Sequence, residues 1–144
     1  MIRPGGEEME VLVIDAQGGG IGRQVVASLK KAYPQLTVTA AGTNAMATAA
    51  MLKAGADAGA TGENAVVVGC RRADVIVGPV GIVIADALLG EITPAMALAV
   101  GQSRAKRLLI PVNHCDNTVV GVADLNMGRL IQEAAARVGA LLEP

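Results

Sequence analysis

The stretch Glu10-Val-Leu-Val-Ile-Asp-Ala-Gln-Gly-Gly-Gly-Ile-Gly-Arg23 decides the fold. Val11 to Ile14 is a short aliphatic, β-branched run that ends at Asp15. Gly18, Gly19, Gly20 and Gly22 follow, and an amphipathic helix pattern begins at once, with Ile21, Val25, Leu29 and Ala32 at helical spacing. Strand, glycine turn and helix N-terminus in that order present free backbone N–H groups to an anion, most often a phosphate. The competing reading is structural: glycines also permit tight strand-to-helix packing.

The same alternation runs along the rest of the chain. Strands are expected at 10–15, 36–41, 57–60, 75–78 and 107–112, with a short sixth at 118–122. Helices are expected over 21–32, 45–53, 82–89, from Thr93-Pro94 to about 104–106, and over 124–142. Thr61 is a candidate N-cap for a helix reaching Arg72, although Val66-Val67-Val68 leaves a strand open over 63–72. Five to six strands alternating with helices predict a doubly wound, mostly parallel, Rossmann-like α/β sheet with right-handed crossovers. Residues 1–9 read as a flexible tail without the apolar core of a signal peptide, and 10–144 as one domain.

Composition narrows the function classes. Hydrophobic residues make up 52% of the 144, while aromatics make up 1%, Tyr33 alone. The core must therefore be aliphatic, as buried parallel strands require. So apolar a chain is expected to cover some surface with a second copy, as a homodimer or larger homo-oligomer. Net charge is −1, with no basic patch interleaved with aromatics, so nucleic acid is not an expected partner. The longest apolar run, Val75 to Ala85, holds 11 residues and Pro79, too few for the roughly 20 that span a bilayer. Cys70 and Cys115 form no disulfide framework, and the expected compartment is the cytoplasm.

In an open α/β sheet the ligand lies beyond the carboxyl ends of the strands, where strand order reverses. That sets the loop 16–22 against Gly78-Pro79-Val80-Gly81, each leading into a helix N-terminus. Asp15 would repel a pyrophosphate there and is suited instead to a ribose hydroxyl or Mg²⁺. Strand two ends in Gly42-Thr43-Asn44, with neither the acid that holds an NAD ribose nor the arginine that takes an NADP phosphate. A P-loop is excluded, since Arg23-Gln24 stands where Lys-Ser/Thr is needed.

Gly20-Ile21-Gly22 and Val75-Ile-Val-Gly-Pro-Val-Gly-Ile82 resemble the dinucleotide-binding motifs of short-chain dehydrogenases/reductases. Ala16 replaces that family's first glycine, and Gly78-Pro79 its asparagines. Its Tyr-x-x-x-Lys pair is absent, since Tyr33 precedes Pro34. The resemblance thus implies a nucleotide site, NAD(P) included, without that chemistry. A broader resemblance covers nearly the whole chain. The loop, the run from Gly78 to Thr93 and Ile110-Pro-Val-Asn113 are similar to a family of short bacterial Rossmann-like proteins of unknown function.

The expected binding residues are Asp15, Gln17, Gly18, Gly19, Gly20, Ile21, Gly22, Arg23, Thr43, Asn44, Gly78, Pro79, Val80, Gly81 and Asn113. Asp86, Glu91 and His114 are the candidates for acid–base work. Adjacent His114 and Cys115 make a poor metal site, which needs separated ligands, so no metal is expected. Three readings follow: a module that binds a nucleotide or other phosphorylated ligand without catalysis, a small nucleotide-dependent enzyme with its site at a subunit interface, or a structural subunit whose loop binds nothing.

Overall fold

The computed structural model describes residues 8–112, 117–122 and 126–143. The elements run β1 (Glu10–Asp15), α1 (Gly20–Ala32), β2 (Thr37–Gly42), α2 (Ala45–Lys53), β3 (Ala58–Thr61), α3 (Glu63–Arg72), β4 (Val75–Pro79), a 3-10 turn (Val80–Val83), α4 (Pro94–Gln102), β5 (Lys106–Ile110) and α5 (Met127–Leu142). The sheet is all parallel, in the order β3-β2-β1-β4-β5. β1 is central: Val11 pairs with Val38 of β2 and with Val75 of β4. The crossover through α3 carries the chain past β2 and β1 to lay down β4, so strand order reverses between β1 and β4.

The period of two along a strand divides the core into two layers. Val11, Val13, Val75 and Val77 face α1, α2 and α5, where Val25, Val26, Leu29, Met51 and Val138 bury against them. Leu12, Ile14 and Ile76 face the other way, against Val66, Cys70, Met96 and Val100 of α3 and α4. With both faces covered, the strands need no polar alternation.

The structure departs from the expected elements at four places. Residues 63–72 are the helix expected there and not the competing strand, with Val66 alone of the three valines fully buried; the departure is at its start, which follows Gly62 (φ 104°) and is not capped by Thr61. The Thr61 hydroxyl instead lies 2.7 Å from that of Thr48. No helix covers 82–89. After one 3-10 turn, Asp86, Leu88 and Leu89 take φ of 66°, 58° and 60°, and no right-handed helix passes through left-handed residues. The segment 118–122 forms no strand, so among the described residues the sheet has five strands, and β5 ends at Ile110. α5 starts at Met127, capped by the Asn126 side chain on Arg129 N–H at 3.1 Å. Among the described residues no helix is long and apolar enough to cross a membrane.

The turn between α1 and β2 is held by charge. Lys30 Nζ donates to the Pro34 and Leu36 carbonyls (3.2 and 2.8 Å) and to both oxygens of Asp57 (3.1 and 3.0 Å). Asp57 also accepts Val38 N–H at 2.8 Å. Partial burial pushes this carboxyl up, but the Val38 N–H and Lys30 outweigh it and hold it below the ordinary 3.8. A lowered folded value means the bond contributes above 3.8 and is lost as the pH falls through the folded value. Asp57→Asn should therefore melt below wild type at pH 7, and the gap should close toward pH 3 in thermal scans. The side chain is 45% exposed, which keeps the effect small.

Candidate functional site

The crevice opens at the carboxyl ends of β1 and β4, where the strand order reverses. Asp15, Ala16, Gln17, Gly18, Gly20, Ile21, Pro79, Leu88 and Val112 enclose a cavity of about 210 Å³. That is below the usual range for drug-sized ligands, so it encloses a phosphate and only part of the group that carries it.

The glycines of the loop separate into two kinds. Gly19 has φ 70°, and a Cβ there would lie 3.0 Å from Ala47 backbone atoms. At Gly22 a Cβ would lie 2.6 Å from Met51 Sδ and 2.8 Å from Asp15 Cβ. The fold itself requires both. Gly18 and Gly20 have ordinary φ, and a Cβ at either would meet nothing within 4 Å. Neither conformation nor packing explains them; both face the cavity.

Asp15 governs the donors around this loop. Its Oδ2 accepts Gly22 N–H at 2.7 Å and its Oδ1 accepts Ala16 N–H at 2.8 Å. Gly22 is the third residue of α1, so Asp15 caps the helix from outside, where Gly19 has no side chain to do so. Burial pushes the carboxyl above its ordinary range; the N–H groups of Gly22, Ala16 and Ile21 pull the other way, and the Glu91 carboxylate adds to the rise. Gly19 N–H bonds the Ala16 carbonyl and Arg23 N–H the Gly19 carbonyl. The N–H groups of Gly18 and Gly20 have no partner among the described residues. Arg23 lies exposed on the first turn.

Glu91 comes from the strap between the 3-10 turn and α4. Its Oε1 accepts three bonds: Gln17 N–H at 3.0 Å, the Thr43 hydroxyl at 2.7 Å and Asn44 Nδ2 at 2.7 Å. Asn44 Nδ2 also donates to the Gln17 carbonyl at 2.9 Å, and its Oδ1 caps α2 on Ala47 N–H. One carboxylate thus ties the loops after β1 and β2 together. Burial would raise Glu91, but the Thr43 hydroxyl, Gln17 N–H and Asn44 amide keep it below the usual glutamate range. The strap is pinned by Asp86 N–H on the Ile92 carbonyl (2.7 Å) and by buried Leu88 and Ile92.

The residues expected to bind are therefore scattered in role. Asp15, Gln17, Gly18, Gly20, Ile21 and Pro79 line the cavity. Gly19 and Gly22 shape the loop behind it. Thr43 and Asn44 hold Glu91. Gly78 packs against β1, where a Cβ would lie 2.6 Å from the Ile14 carbonyl oxygen. Val80 points into a separate cavity between β5 and α5, and Gly81 is buried under Leu88. Asp86 is exposed on a left-handed turn, and its side chain makes no bond among the described residues. Asn113, His114 and Cys115 lie outside the described residues. Three wall residues were missed: Ala16, which lies inside the expected loop 16–22, Leu88 and Val112. Val112 follows from the rule that ligands sit at strand carboxyl ends; Leu88 had no local signal, because the helix expected there would have pointed it elsewhere. Cys70 is buried, which pushes its thiol to about 11 and leaves it unreactive.

None of the curated proteins matches the chain. Among solved structures it is similar to a dodecameric FMN-dependent Ubix-like decarboxylase from Escherichia coli O157:H7, with 18% identity over 91% of this chain and 76% of that one, at a TM-score of 0.46, which carries no inference about ligand or activity. The profile of one protein family spans residues 10–143, almost the whole described fold, and the chain belongs to that family, the domain of unknown function DUF3842.

Proposed function

We propose that this protein binds a small ligand carrying a single phosphate in the crevice between β1 and β4, as a binding module. The phosphate sits on the N–H groups of Gly18 and Gly20 with Arg23 at the rim, and the apolar part lies against Ile21, Pro79, Leu88 and Val112. The observation that supports this reading is the pair of glycines whose missing side chains the fold does not require. Glycine at such positions serves the close approach of a ligand to the backbone.

One phosphate, not two, suits the electrostatics. The positive end of α1 is already partly satisfied by Asp15, and the Glu91 carboxylate lies nearby. A pyrophosphate would bring further negative charge against both. Binding without turnover is the favoured reading because both carboxylates are engaged on loop donors. Exposed Met46, Leu89 and Leu98 support self-association as part of the same reading.

The test is a thermal-shift panel of nucleoside monophosphates, sugar phosphates, FMN, FAD, ATP, GTP, NAD(H) and NADP(H). A ligand at about 100 times its dissociation constant stabilises by about 2.7 kcal/mol, several degrees for a chain of this size. Gly20→Val should abolish the shift while leaving the unliganded melt within about 0.5 kcal/mol of wild type. A silent panel, or a shift that survives Gly20→Val, would return the loop to a packing role.

A further inference from the structure

The end of β2 lacks the acid that reads a ribose in a dinucleotide fold, yet a carboxylate stands there. Glu91 reaches it from the far side of the crevice. We propose that Glu91 is the ribose-recognising group of this site, and that the ligand is a ribonucleoside 5′-monophosphate with a free 2′,3′-diol. The assignment rests on the phosphate seat proposed above at Gly18 and Gly20.

Three observations carry it. The first is the division of labour within one carboxylate. Oε1 takes all three loop donors, from Gln17, Thr43 and Asn44. Oε2 accepts no bond from any described residue, and the side chain is only half-buried. The free Oε2 keeps its acceptor lone pairs for donors from a ligand, and each hydroxyl of a vicinal diol can supply one. The second is position. Gln17, whose N–H holds Oε1, is itself a wall of the cavity. Glu91 is not itself a wall residue; its carboxylate is bonded to one wall residue and to the two residues that follow β2, the side on which the acid that reads a ribose stands in a dinucleotide fold.

The third is the backbone that delivers it. Asp86, Leu88, Leu89 and Gly90 have φ of 66°, 58°, 60° and 84°, just before Glu91. Three of these are non-glycine residues in the left-handed region, a cost that persists only where the surroundings over-determine it. The strap spends that strain on two outcomes: Leu88 turned into the cavity and Glu91 turned onto the two loops. A plain connection from the 3-10 turn to α4 needs neither.

The experiment is isothermal titration of the full chain with the ribonucleoside 5′-monophosphates, their 2′-deoxy forms and adenosine 2′,5′-bisphosphate. Wild type should prefer the ribo form by about tenfold or more, the value of one hydrogen bond to a charged acceptor. The bisphosphate should not bind, because its 2′-phosphate meets the carboxylate. Glu91→Gln keeps an Oε1 for the three loop donors and replaces Oε2 with an amide, so the fold is retained and the ribo-over-deoxy ratio should fall toward one. Gly20→Val should remove both forms together. Equal affinity for ribo and deoxy forms in wild type, or an unchanged ratio in Glu91→Gln, would overturn the role of Glu91 while leaving the phosphate seat standing if Gly20→Val still abolishes binding. No binding by any of the monophosphates would overturn the nucleotide assignment, and the phosphate seat would then stand or fall with the sugar phosphates of the thermal-shift panel.

Discussion

Gly78→Ala is expected to cost about 3 kcal/mol and to lower the melting temperature by roughly 10 °C. Gly78 lies in β4, paired with Leu109 of β5 and close against β1. An added Cβ would lie 2.6 Å from the Ile14 carbonyl oxygen and 2.9 Å from Ile82 Cδ1. The isoleucine tip can rotate away. The carbonyl cannot, because β1 is paired along its length with β2 on its other side. Relief requires β4 to move off β1, which disturbs the centre of the sheet. Chemical denaturation measures the loss directly, and a change under about 0.5 kcal/mol would mean that the β1–β4 spacing yields. Gly42→Ala belongs to the same class, since its Cβ would lie 2.6 Å from Thr48 N and 2.9 Å from the Asn44 carbonyl oxygen.

Asp15→Ala is expected to cost about 2 kcal/mol at neutral pH, because it leaves the N–H groups of Gly22 and Ala16 without their acceptor in a buried turn. Its pH dependence identifies the cause. The folded carboxyl titrates above the ordinary 3.8, chiefly through burial. A raised folded value means that this group's contribution is full below 3.8 and declines as the pH rises through the folded value. The advantage of wild type over Asp15→Ala should therefore be larger in acid than at pH 7, opposite in sign to the trend for Asp57→Asn. Denaturation midpoints for both variants between pH 3 and pH 7 test the pair. An advantage that grows with pH at Asp15 would mean that its backbone bonds outweigh its burial.

Much of the architecture was legible along the chain, and for identifiable reasons. Aliphatic runs such as Val11 to Ile14 and Val75 to Val77 read as strands because parallel strands are buried on both faces. α1 and α5 were visible from apolar spacing, α2 from its alanine and methionine content ahead of Gly55, and Thr93-Pro94 marked the start of α4 because a hydroxyl cap followed by proline at the first position satisfies the end of a helix. The location of the crevice followed from topology alone.

What local pattern misplaced was everything governed by long-range contact. The run 82–89 has helical spacing, yet burial of Leu88 and Ile92 and the bonds of the strap override a modest propensity. Gly18, Gly19, Gly20 and Gly22 are identical letters; only the positions of Ala47, Met51 and Asp15 around them separate the two that shape the loop from the two that open the cavity. Asp15 appears in sequence as an acid awaiting a metal or a ribose, and the fold spends it on Gly22 N–H. Glu91 lies 48 residues from Thr43 and 74 from Gln17, so no spacing could announce that its carboxylate closes the end of β2. Periodicity reports which face of an element is buried, whereas the partners of a polar atom are set by distant segments that meet only once the sheet has formed.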